Sequence, residues 1–310
     1  MIEYVKVINE GGSELKLPLN DWTESGMLIT SITGIGTVRS TINMASYVDN
    51  DIKKANSNIL DTRNIVISFL YINTENETIE QIRDKSYIYF TPKKKVHLVF
   101  KTTNRFVGID GYVESNEPDI FNESESAQIS ILCSDPLFYD ETTKETILDG
   151  YDLNASIPMF EFPFENNSLT EKLIELGVIS HKPVNAIKYE GEYDIGLTIN
   201  IHCTGMVMNP VLYSTRQNGY FRLLTDYLSE VIEGSTSFLS GDVIMINTVN
   251  GSKSIKLLRN GKLYNILHIL DSGSTWPKLK NGLNEFTVDA LNGFEFIKIS
   301  YSYDTGFLGI

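Results

Sequence analysis

The side chains able to do chemistry are few and scattered. Four histidines, His97, His181, His202 and His268, stand far apart, and none pairs with another at the i, i+4 spacing of an HExxH zinc helix. The chain has two cysteines, Cys133 and Cys203. His202 directly precedes Cys203, but neighbours on a strand point to opposite faces, so they make no nucleophile–base pair. Buried, reduced thiols are the expectation for a chain made in the cytosol. No GxSxG, P-loop or DxDxDG calcium loop occurs. Gly34-Ile35-Gly36 lacks the third glycine of a dinucleotide fingerprint. Glu161 and Glu165 flank Pro163 and read as solvent-exposed carboxylates rather than a glycosidase pair. No catalytic residue, metal ligand or cofactor site is expected.

Three sets of residues point instead to surfaces. Between Phe106 and Thr143 there is no Lys or Arg but nine acids, including Asp110, Glu114, Glu117 and Asp119. The stretch is either a solvated acidic face or one that must repel polyanions. Lys93-Lys94-Lys95 after Pro92 is either a polar hairpin tip or a contact to an acidic neighbouring subunit. Trp276, before Pro277, either closes the end of a core or offers its ring to a sugar or a partner.

Whole-chain composition narrows the classes. The 310 residues are 42% hydrophobic and 11% aromatic, which is ample for about two domains with their own cores. The net charge is −14, which opposes generic binding to nucleic-acid phosphates and to anionic membranes. Apolar runs are far shorter than the roughly 20 residues of a spanning helix, so no membrane insertion is expected. Met1–Glu10 carries Glu3 and Lys6 and no apolar core, so a secretory leader is not expected.

Short Val-, Ile-, Tyr- and Phe-rich runs between turn signals dominate, and they predict a mainly β chain. In the first half, Asn64–Ile72, Ser86–Phe90, Val96–Thr102, Phe106–Val113 and Ala127–Cys133 read as strands. Thr78 and Gln81 have capping-box spacing, which predicts one helix over Thr78–Asp84. The polar segment Tyr139–Ala155 is the candidate linker. Beyond it, Asn-Gly recurs at residues 218, 250, 260, 281 and 292, the preferred pair for a type I′ hairpin. Asp242–Thr248, Lys253–Leu258, Asn284–Val288 and Phe294–Tyr303 fall beside these turns, which suggests an antiparallel sandwich. The expected division is residues 1–145, a β-barrel or sheet with one helix, and residues 146–310, a β-sandwich.

Several stretches taken in order resemble the distal tail protein family of long-tailed, siphovirus-type phages. In the first half these are Ser31–Gly36, Thr62–Phe69, the Ile79–Lys85 helix, Phe90-Thr91-Pro92, Val96–Phe100, Phe106–Val113 and Ile129–Phe138. In the second half, Gly219–Leu223, Gly241–Gly251, Lys253–Leu258 and Trp276–Asn284 are similar to the family's galectin-like or carbohydrate-module-like domain. The resemblance implies a structural protein of the virion tail tip, assembled in the host bacterial cytoplasm. Six copies would form a ring that joins the tail tube protein to the tail-associated hub protein and to baseplate or receptor-binding proteins. DNA would pass through the lumen without specific binding, with Asp110, Glu114, Glu117 and Asp119 as candidate lumen acids and Lys93, Lys94 and Lys95 as candidate subunit contacts. The ring is expected to be built by the first domain, so a fragment of about Met1–Asp140 should self-associate. The alternative is a carbohydrate-binding adhesin that uses the sandwich and Trp276.

Overall fold

The computed structural model describes residues 1–45, 54–122, 124–142, 145–147, 156–158, 177–179 and 184–310. It falls into two units, Met1–Thr143 with Thr305–Ile310, and Lys144–Asp304. The second therefore interrupts the first, and residues 305–310, expected above in the second domain, pair within the first. His181, Pro163, Glu161 and Glu165 lie outside the described residues, as does most of the candidate linker.

The first unit carries strands β1 (Ile2–Asn9), β2 (Glu14–Pro18), β3 (Met27–Thr33), β4 (Ser40–Ala45), β5 (Lys54–Leu60) and β6 (Arg63–Tyr71), then helix α1 (Ile79–Tyr89). Strands β7 (Lys95–Thr102), β8 (Phe106–Asp119), β9 (Ser126–Cys133) and β10 (Phe138–Asp140) follow. The main sheet is antiparallel, in the order β2-β1-β7-β8-β9-β6-β3. Its end strands β2 and β3 approach each other, so the sheet curls like a barrel. Among the described residues, strands β4 and β5 pair only with each other. Period-two alternation places Ile65, Ile67, Phe69 and Tyr71 of β6 in the core with Leu98 and Phe100 of β7 and Ile129 and Ile131 of β9. Each such side chain contributes roughly 1.5–3 kcal/mol by leaving water.

Helix α1 corrects one expectation: Ser86–Phe90 is its last turn, not a strand. Ile82 and Ser86, four apart, face inward, and the Ser86 hydroxyl lies 2.9 Å from the Tyr71 hydroxyl. Tyr87 and Ile88, whose types suggested a strand, are on the exposed side. The predicted start holds, with Gln81 Oε1 accepting from the Thr78 backbone N–H at 2.9 Å.

The second unit carries β11 (Glu145–Ile147), β12 (Ser156–Pro158), β13 (Gly177–Ile179), β14 (Val184–Tyr189), β15 (Thr198–Cys203), β16 (Val211–Ser214) and β17 (Gly219–Arg222). It continues with β18 (Val243–Asn247), β19 (Ser254–Arg259), β20 (Lys262–Asn265), β21 (Gly282–Asp289) and β22 (Ile297–Tyr303). Its described residues form antiparallel sheets β11-β22-β15-β18-β19-β20 and β14-β21-β16-β17, with β12 and β13 a separate pair. Phe286 of β21 stacks on Tyr301 of β22 with centroids 5.5 Å apart, and Tyr189 of β14 meets Tyr303 of β22 at 6.0 Å. These rings join the two sheets as a sandwich.

Of the five Asn-Gly pairs, Asn260-Gly261 is the predicted two-residue hairpin: both residues have positive φ, 50° and 75°, between β19 and β20. At residues 250, 281 and 292 only the glycine has positive φ, and at 218 only the asparagine. There the pair serves longer loops and strand entries. The Phe294–Tyr303 strand begins three residues late, because Phe294–Phe296 form a 3-10 turn.

Candidate interaction face

The acids singled out in the sequence lie on one strand. Asp110, Glu114, Glu117 and Asp119 all belong to β8 and are all exposed. The strand runs to Asp119, beyond its predicted end at Val113, through a bulge between Val113 and Ser115. These four are not equivalent. Antiparallel register sets His97 of β7 opposite Asp110. His97 Nδ1 is 2.7 Å from Asp110 Oδ1, and Nε2 is 3.1 Å from Glu141 Oε1. Lys95 Nζ is 2.8 Å from Asp110 Oδ2. Each imidazole nitrogen faces a carboxylate oxygen, and only the doubly protonated ring can donate to both. Gly108 makes this possible, since a Cβ there would sit 2.3 Å from Glu141 Oε1 and 2.8 Å from the His97 ring.

Burial raises the Asp110 pKa, but the hydrogen bonds and charges of Lys95 and His97 outweigh it and hold the carboxyl below its usual range. Lys95 is pushed up by its hydrogen bond to Asp110. A depressed carboxyl pKa stabilises the fold above the unfolded value near 4 and loses that contribution as pH falls through the folded value. The wild type should therefore be more stable than Lys95→Met near neutrality, with the gap closing below about pH 4. Acid titration of both by circular dichroism measures this; a constant gap down to low pH would contradict the pairing.

Farther along β8, Glu114 Oε2 is 2.7 Å from the Ser130 hydroxyl, and Asp119 accepts from the Phe121 backbone N–H at 3.3 Å and from Asn122 Nδ2 at 2.5 Å. Lys93 and Lys94 occupy the tight connection from α1 to β7, and Lys95 is the first residue of β7, so the three do not form a hairpin tip. Lys93 has φ of 69°, its N–H donates to Val113 O at 2.9 Å, and Val113 N–H returns a bond to Lys94 O at 3.1 Å. Lys95 is committed to Asp110 within the chain, while Lys93 and Lys94 are exposed beside it.

Trp276 is in the second unit and is half-buried. Its ring meets Phe221 at 5.2 Å between centroids, and Lys253 Nζ lies 5.3 Å from its centroid. A sugar stacking there would have to displace the Lys253 ammonium. Cys133 and Cys203 are buried free thiols, with burial raising their pKa values to about 11 and about 12. Native protein should show no reaction with a thiol reagent at pH 8, and unfolded protein should show two reactive groups; rapid native labelling would contradict the packing.

The residues not foreseen in the sequence are arginines. Arg63 is 2% exposed. Its guanidinium donates to four carbonyl oxygens: Pro136 at 2.7 Å, Gly34 at 2.5 Å, Gly36 at 2.6 Å and Leu308 at 2.7 Å. The Gly34-x-Gly36 element thus binds a guanidinium within the chain. Gly34 has φ of 80°, and a Cβ there would fall 2.0 Å from Asn64 O. In the second unit Arg259 forms a buried ion pair with Asp242. Among the described residues no His, Cys, Asp and Glu group is arranged to hold a metal ion, and no helix is long and apolar enough to cross a membrane.

Residues 190–304 match the family model of the siphovirus-type tail component, C-terminal domain. Comparison with curated proteins finds no match. Among solved structures, the Dit protein of phage SPP1, described as a paradigm of the hub adsorption apparatus in phages that infect Gram-positive bacteria, matches with TM-score 0.58 and 11% identity over 97% of this chain and 98% of that one. A chain of the phage P2 baseplate in its activated conformation with calcium matches with TM-score 0.45 and 12% identity, covering 98% of each chain. Residues 190–304 thus resemble the C-terminal domain of siphovirus-type tail components, and over nearly its whole length the chain shares the fold of the SPP1 Dit protein.

Proposed function

We propose that six copies of the chain form a closed ring at the tip of a phage tail tube. The ring joins the tube to the tail-associated hub and to baseplate or receptor-binding proteins, as part of an adsorption apparatus like that described for phage SPP1. Its role is structural rather than catalytic. The observation that carries this reading is the family match over residues 190–304.

Physical features of the first unit support giving it the ring-building role. The β4–β5 ribbon is a separate two-stranded sheet, and its outer edges favour pairing with a neighbour's strand. The β4–β5 ribbon exposes Ile42, Met44 and Ile59, the last 61% exposed, and such a ribbon is marginal unless it packs against something. One heterologous contact repeated around a closing rotation makes a ring. The carboxylates of β8 suit a lumen through which DNA slides without being held. On this reading the unit Lys144–Asp304 supplies the contacts to the receptor-binding parts.

Light scattering on purified protein should give six times the 34.9 kDa chain mass, and the assembled form should bind the tail tube protein. A chain that stays monomeric at tens of micromolar and ignores the tube would overturn the proposal.

A further inference from the structure

The first unit is made from two stretches of chain, 1–143 and 305–310, with the whole second unit between them. The short stretch is built in. Phe307 pairs with Phe138 and Gly306 with Tyr139 along β10, and Asp140 N–H donates to Thr305 O at 3.1 Å. Arg63 donates to Leu308 O and Arg105 Nη1 to Gly309 O, both at 2.7 Å. The Arg105 guanidinium also lies 4.5 Å from the Phe307 ring centroid. Ile310 N–H reaches Ile35 O at 3.3 Å. Phe307 and Ile310 pack against the apolar core.

We infer that residues 305–310 are a strap that completes the first unit only once the second has been synthesised, and that this closure gates self-association. The inference rests on the proposed ring. Without the strap, Arg63 loses one of its four acceptors and Arg105 loses a carbonyl and a ring. β10 loses one of its two strand partners, keeping only its pairing with β8. Glu141, which follows β10 directly, is the carboxylate that bridges to His97 on the exposed face. The strap therefore connects through β10 to the surface around β7 and β8. A truncated chain, or one still being translated, holds an open first unit and stays out of the ring.

The test compares the full chain with its Phe307→Ala/Arg105→Gln variant and with a chain lacking 305–310, reading mass by light scattering and protection by segment-resolved hydrogen exchange. In both variants the second unit should keep its protection, while β10 and residues 34–36 exchange at least tenfold faster. The assembled fraction should fall at least tenfold in the deletion and by less in the substitution variant. Variants that assemble like the full chain, or that lose assembly with first-unit exchange unchanged, overturn the gate. A full chain that is itself monomeric overturns the ring and the gate together, and the exchange result then decides whether the strap closes the first unit. If the deletion chain does not fold, the full-length substitution variant decides.

Discussion

Replacing Arg63 by methionine should destabilise the first unit by about 3–5 kcal/mol, since it strips the donor from several buried carbonyls at about 1–3 kcal/mol each. The guanidinium is planar and presents five donors in a fixed fork, and here it satisfies four carbonyls from three segments of chain. It also lies 4.5 Å from the Phe138 ring centroid. Burial lowers the pKa of Arg63, yet an arginine retains its proton in a protein. Methionine fills much of the same space but leaves those oxygens without a donor, each costing about 1–3 kcal/mol if it stays dry. Lysine would restore only part of the loss, because a compact ammonium with three donors cannot span four acceptors. Urea unfolding followed by segment-resolved exchange checks this. A loss below about 1 kcal/mol would mean that water replaces the guanidinium, which would contradict a closed clasp.

An effect of similar size is expected in the second unit from Asp242→Asn. Asp242 and Arg259 are 2% and 8% exposed. Arg259 Nε reaches the two Asp242 oxygens at 2.9 and 3.1 Å, and Nη2 reaches Oδ2 at 2.5 Å. The same arginine donates to Ser235 Oγ at 2.7 Å and Ser237 O at 3.0 Å, and Asp242 accepts from the Leu239 N–H at 2.7 Å. The pair thus ties the loop before β18 to the end of β19. The amide removes the charge while nearly keeping the shape, leaving a buried guanidinium without its counter-ion at a cost of about 3–5 kcal/mol. Replacing both residues by apolar ones of similar volume should cost far less. Calorimetry on the single and double variants distinguishes these outcomes; a single variant as stable as wild type would contradict the pairing.

Much of the fold was legible in the sequence because strand burial has period two. Ile65, Ile67, Phe69 and Tyr71 announce one buried face of β6. The same parity places Arg63 on that face, a signal visible in Thr62–Phe69 once the strand is extended back by one residue. Its partners were not legible: Leu308 lies 245 positions away, and nothing in a six-residue apolar tail shows which strand it will join. Ser86–Phe90 misled because tyrosine and isoleucine favour strands, whereas inward-facing Ile82 and Ser86 at helical spacing decided the outcome. Asn-Gly pairs proved reliable as turns and poor guides to turn type, since loop length and strand register decide how many residues take positive φ. The acids of β8 were found as a group, but the partners of Asp110, Lys95 and His97, come from the neighbouring strand, and only register brings them together. The family resemblance drew on spaced strand and turn motifs across both halves, and the family match falls in the second.

The ring itself is most directly tested by negative-stain electron microscopy of the purified full-length chain. Class averages should show closed rings with sixfold symmetry and an open centre. A uniform population of single particles of one chain's size, unchanged when the tail tube protein is added, would contradict the proposed role at the tail tip.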